Sequence, residues 1–229
     1  MPIDTEDAPD ASPAPDVPAA GDDADVERDV LPWYHSRINL GVLALAIALL
    51  AGGLGYLIGN NRAIPDPNDT DIGFLQDMRY HHEQAVTISM IYLTRPDISP
   101  DLRTIAREIV VGQELEIGRM VQLLRDYGKS EINETDVAMA WMGDPVPLDQ
   151  MPGLATDSDL ATLAAASGAD ADAVFVRLMV AHHQGGIHMA QHASEFAGTS
   201  EVRKMAASMV TGQQQEIEEM QTLLAAPAG

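Results

Sequence analysis

The chain has 229 residues, with 35 Asp and Glu against 13 Lys and Arg, and a net charge of −22. At 46 % hydrophobic residues it holds enough apolar material for a packed core, which excludes a disordered acidic chain. No Lys/Arg cluster is present to neutralise phosphates, which excludes a nucleic-acid partner, and the absence of cysteine excludes disulfides, thiolate metal sites and CxxC redox chemistry.

Residues 1–36 carry ten of the acidic side chains and Arg28 alone among the basic ones. This Pro-, Ala- and Asp-rich stretch cannot offset its ordering entropy by burial and is expected to be a disordered acidic tail. An uncharged run of 21 residues follows, Ile38–Ile58, within a span expected at 37–59. As a helix rising 1.5 Å per residue it crosses a hydrocarbon core of about 30 Å. It comes too late, behind too acidic a segment, for a cleaved signal peptide, so the expectation is a single-pass anchor with a cytoplasmic N-terminus and an extracytoplasmic body. Small residues four apart (Ala44, Ala48, Gly52; Ala51, Gly55, Gly59) would permit a second copy or a membrane-protein partner to approach closely.

After a linker at 60–70, residues 71–229 read as all-α. Ser99-Pro100-Asp101 is a helix start, and Gly198-Thr199-Ser200-Glu201 is a stop followed by a start. Long helices are expected over 71–94, 100–127, 171–197 and 200–225, with a short one near 158–167.

The body repeats itself. Phe74-x3-Met78-x2-His81-His82 recurs 101 residues later as Phe175-x3-Met179-x2-His182-His183. The next helix recurs at an offset of 100, with Gly112, Gln113, Glu116, Ile117 and Met120 matched by Gly212, Gln213, Glu216, Ile217 and Met220. One helical hairpin cannot bury its own apolar stripe, so repeats 71–127 and 171–225 are expected to pair as a four-helix bundle. At 100° per residue, His81 and His182 lie at the centres of apolar faces, with His183 on a flank beside Met179. Gln113 and Gln213 centre the partner stripes, with Glu116 and Glu216 to one side, one turn before Met120 and Met220. Buried polar groups need partners, so these side chains should meet each other, water or an ion.

Two chemistries fit. The polar residues could form a satisfied layer fixing the register between hairpins, or hold a metal. No His has a Glu three residues before it, which disfavours a ferritin-type di-iron centre, and no His-Glu-x-x-His is present for a zinc protease. Imidazole and thioether without thiolate suit copper first, and His with Glu suits zinc second. A separate stripe, His188, His192 and Glu195, follows i, i+4, i+7 on the polar side and is either a chelating face or a solvated one. Asp77, one turn before His81, is a candidate hydrogen-bond partner for that ring. No nucleophile–base pattern is present, so an enzyme is not expected.

HHQGGIHMA at 182–190, behind Phe175-x3-Met179 and ahead of QQQEIEEM at 213–220, resembles the family catalogued as domain of unknown function 305, as does MPGLAT at 151–156. The resemblance implies a ferritin-like four-helical fold, often behind a signal peptide or anchor, and copper binding. Carried over by residue, it points to Met179, His182, His183 and Met189, with Met78, His81 and His82 in the first copy. That copy departs from the pattern at Glu83, where Gln is expected, and at Ile88, which replaces the counterpart of Met189. The combined expectation is an anchored metal-binding bundle for copper storage, buffering or resistance. The alternative is a non-catalytic accessory subunit of a membrane complex with a purely structural His layer.

Overall fold

The computed structural model describes residues 32–61 and 66–225. Most of the expected acidic tail and part of the expected linker lie outside the described residues. The chain divides into two units, Met1–Arg62 and Ala63–Gly229.

In the first unit a 3-10 turn at Trp33–His35 precedes helix α1, Arg37–Asn61. Its stretch Arg37–Gly59 is long and apolar enough to cross a membrane. The apolar side chains are exposed around the helix, among them Val42, Leu50 and Leu54.

The second unit is mostly helical: α2 (Asp69–Leu93), α3 (Pro100–Asp126), α4 (Asp157–Ala165), α5 (Gly168–Phe196) and α6 (Ser200–Ala225). Each agrees with its expected range to within one turn. α2 starts at Asp69 because Asn68 and Asp71 form a capping box, side chain to backbone in both directions at 3.0 and 2.8 Å. Ser99 caps α3, with Pro100 in its first turn, and Thr156 with Asp159 caps α4. α2 packs against α3 and α5 against α6, and the two pairs join chiefly through α2 and α5. α2 and α5 run antiparallel, since Tyr92 stacks on Phe175 at 4.1 Å while Met78 shares a buried cluster with Met189.

Two carboxylates lock the pairs together reciprocally. Asp71, fully buried at the start of α2, accepts from the Gly198 and Thr199 amides and the Thr199 hydroxyl at the α5–α6 turn, at 2.7–3.1 Å. Its counterpart Asp172, at the start of α5, accepts from the Ser99 amide at the α2–α3 turn and from the Tyr92 hydroxyl at 2.5 Å. Burial and this carboxylate push the Tyr92 hydroxyl pKa up.

The α3–α4 connection includes a two-stranded antiparallel ladder, β1 (Val137–Ala138) with β2 (Val146–Pro147). Asp77 binds this segment to α2, accepting from the Met139 amide, the Trp141 indole and the Asn133 amide, each at 2.8 Å. Trp141 lies where a Cβ on Gly73 would stand, so only glycine admits the ring. Further on, Pro152 and Gly153 cross α5. The Pro152 carbonyl occupies the space of a Gly185 Cβ, and Gly153, at φ +85°, sits against the Ala181 carbonyl. Gln84 then pairs with the Ala155 backbone in both directions, at 2.9 and 2.6 Å.

Candidate metal centre

The four repeated histidines lie where α2 and α5 cross, and all are buried. The rings of His81 and His182 stack with centroids 3.8 Å apart. His81 Nε2–H donates to the Pro152 carbonyl at 3.2 Å, and His182 Nε2–H to the His81 carbonyl at 2.9 Å. A carbonyl only accepts, so both rings carry their hydrogen on Nε2. Burial, reinforced by the neighbouring imidazoles, holds His81 down to about 3 and His182 well below its ordinary value. This pair is neutral at physiological pH and ties α2, α5 and the 151–155 segment together.

His82 and His183 face the outer helices. His82 Nε2–H donates to Glu116 on α3 at 2.8 Å, and His183 Nε2–H to Glu216 on α6 at 2.6 Å. The glutamates are one-third exposed while the rings are completely buried. Nδ1 of His81, His82 and His183 is buried without a partner, as is Oε1 of Gln113 and of Gln213. A buried lone pair left unmatched costs about 1–3 kcal/mol. An imidazole with one nitrogen on a carboxylate and the other bare is the form in which histidine ligates a metal.

Thioethers flank these pairs. Met78 precedes His82 by one turn of α2, and Met120 follows Glu116 by one turn of α3. Met179 and Met220 stand likewise around His183 and Glu216. Met78 and Met120 share one apolar cluster, and Met179 and Met220 share the other. Met189 falls in the first cluster, with Met78, although it belongs to the second repeat. Its counterpart Ile88 falls in the second, beside Met179. The antiparallel crossing therefore gives each repeat's later residue to the other repeat's centre. The methionine that the first copy lacks at Ile88 is thus one that its own cluster receives from the second repeat as Met189.

One expectation is corrected. Asp77 does not meet His81, because the 133–141 segment takes its carboxylate. His188 and Glu195 are exposed, but His192 is half-buried, with its ring 5.5 Å from that of Trp141 and 4.6 Å from that of Phe196. In the i, i+4, i+7 stripe the middle member thus packs beside aromatic rings while its two neighbours are exposed. Among the described residues no group of three or more His, Asp or Glu side chains is placed to hold a metal. A centre here needs thioether or amide donors to complete it. Sequence reasoning missed Asp71 and Asp172, although they stand three residues before Phe74 and Phe175 in both copies and so carried the repeat's signal.

The profile of the family described as domain of unknown function (DUF305) matches residues 71–224. The chain belongs to the DUF305 family. A DUF305 protein from Streptomyces coelicolor, described as secreted, is 35 % identical, with a TM-score of 0.63 over 68 % of this chain and 92 % of that one. A DUF305 fragment from Deinococcus radiodurans is 26 % identical, with a TM-score of 0.59 over 70 % and 98 %. CopM in its Cu(II)-bound form is 26 % identical, with a TM-score of 0.51 over 67 % and 95 %. CopM is also solved in a Cu(I)-bound form. No curated protein matches the chain. The DUF305 repeat thus coincides with the buried imidazoles and thioethers, and copper-type ions fit that donor set by softness.

Proposed function

We propose that this DUF305 protein is a membrane-anchored, extracytoplasmic copper-binding protein without catalytic activity, serving copper storage, buffering or resistance. Helix α1 is the anchor, with the N-terminus on the cytoplasmic side. The body is a ferritin-like four-helix bundle of two repeated hairpins, each offering one Cu(I) site. His82 with Met78 and Met120 forms one donor set, and His183 with Met179 and Met220 the other. Bound copper would be held by imidazole and thioether donors, which favour the cuprous state. Glu116 and Glu216 orient the rings, and His81 with His182 fixes the crossing. The observation that carries the reading is the repeated carboxylate–imidazole pair whose buried Nδ1 has no partner. The copper-bound CopM neighbour supports the choice of ion, and zinc on His and Glu is second.

The test is thermal unfolding of the full chain in detergent, with and without Cu(I). A ligand that binds only the folded state adds about 2.7 kcal/mol at a hundredfold excess over its dissociation constant. Cu(I) should raise Tm, and His82→Gln/His183→Gln should abolish the rise while the apo variant still unfolds cooperatively. A wild-type Tm indifferent to Cu(I) would refute the reading and leave the His layer structural.

A further inference from the structure

The repeat places Gly112, Gln113 and Glu116 of α3 opposite Gly212, Gln213 and Glu216 of α6. Between them lies a cavity of about 70 Å³, lined by these six residues and Met209. Each glutamate commits Oε2 to a histidine and leaves Oε1 without a hydrogen bond among the described residues. Gln113 and Gln213 are 4 % and 5 % exposed, and their Oε1 atoms have no partner. No hydrogen bond among the described residues pins either amide, so a half-turn of its terminal torsion exchanges the oxygen with the nitrogen. A Cβ on Gly112 or Gly212 would meet no atom within 4 Å, so the glycines leave open space.

We propose that this cavity binds one divalent cation of the oxygen-seeking class, of the kind of Ca²⁺ or Mn²⁺. Two free carboxylate oxygens and two amide carbonyls are hard donors that together carry two negative charges. A water needs about 10–15 Å³ measured this way, so the cavity takes an ion with one or two waters to complete its shell. With the amides turned, binding would give their oxygens a partner that the protein does not supply. Met209 alone is too little thioether for a soft ion, which separates this site from the copper sets. The inference does not depend on the copper reading.

The test is Mn²⁺ titration of the full chain in neutral detergent at about 0.15 M salt, with the free aquo-ion read by electron paramagnetic resonance. One saturable equivalent, displaced by Ca²⁺, is expected. Gln113→Leu/Gln213→Leu should weaken it at least about tenfold. Gly112→Ala/Gly212→Ala, which puts two methyl groups into the open space and favours the helix, should do the same and is the second variant if the leucines do not fold. Only diffuse, unsaturable Mn²⁺ uptake, as a net charge of −22 alone would give, overturns the proposal. So does unchanged affinity in either variant when its far-ultraviolet dichroism is that of the folded chain.

Discussion

The two ends of the body are built from matching positions of the repeat yet are filled differently. The apolar cluster on one side of the histidine layer contains Met78, Met120, Met139, Met151, Met189, Met205 and Met209. The cluster on the other side has Met179 and Met220 among Ile88, Ile98, Ile105 and Ile109. Three of these differences are counterparts: Met189, Met205 and Met209 stand where the first repeat has Ile88, Ile105 and Ile109. Methionine and isoleucine fill similar volumes, so packing does not require the exchange. It makes one end soft and polarisable, and that is the end covered by the 137–151 segment. Met139 there is held at φ +61° with its side chain fully buried and its amide on Asp77, a conformation uncommon for a residue with a Cβ. The lesson is that a frame repeated in sequence carries two unequal ends.

The frame can be broken at either clamp, and the larger effect belongs to the methionine end. Asp71→Ala orphans donors at the α5–α6 turn and at the start of α2, and should cost about 4 kcal/mol in urea unfolding. Asp172→Ala removes the partners of Ser99 and Tyr92 and should cost about 2 kcal/mol. Equal losses would mean that the ends do not differ in this respect.

The layer between the ends should make the whole body acid-sensitive. The unfolded chain takes up protons on His81 and His182 near pH 6.5, and the folded chain resists because burial depresses both pKa values, His81 to about 3. A depressed histidine therefore costs nothing above about pH 6.5, and stability falls as pH drops from there towards 3. At pH 5, His81 alone accounts for about 2 kcal/mol. Urea midpoints at pH 7 and pH 5 check this, and His81→Gln should have the shallower dependence.

The smallest stability effect comes from making the ends alike. Met189→Ile, Met205→Ile and Met209→Ile should each change stability by less than about 1.5 kcal/mol, as volume-conserving swaps do. If the methionines serve packing only, the triple variant should keep the copper behaviour of the parent. On the present account it loses the difference between the two sites.

Much of this was legible in the sequence. Helical periodicity placed the five body helices, and the wheel put His81 and His182 at the centres of their faces, where they stack. Spacing also placed Glu116 and Glu216 beside the apolar stripes, and they receive the second histidine of each pair. What could not be read were contacts made across the repeats. Asp71 looks like a capping residue until the α5–α6 turn is brought to it. Gly185 looks like a helix weakness until the Pro152 carbonyl fills its notch. Met189 belongs by spacing to its own repeat, because spacing says nothing of how α2 and α5 cross. His192 read as a surface residue because its aromatic neighbour Trp141 lies 51 positions upstream.

The most direct test of two unequal copper sites is Cu(I) competition against a chromophoric chelator, run on the full chain and on His82→Gln and His183→Gln separately. Two equivalents with different affinities are expected in the parent. His82→Gln should lose the tighter one, at the methionine end, and His183→Gln the weaker. Two equivalents retained in both variants, or the same equivalent lost in each, would contradict that expectation.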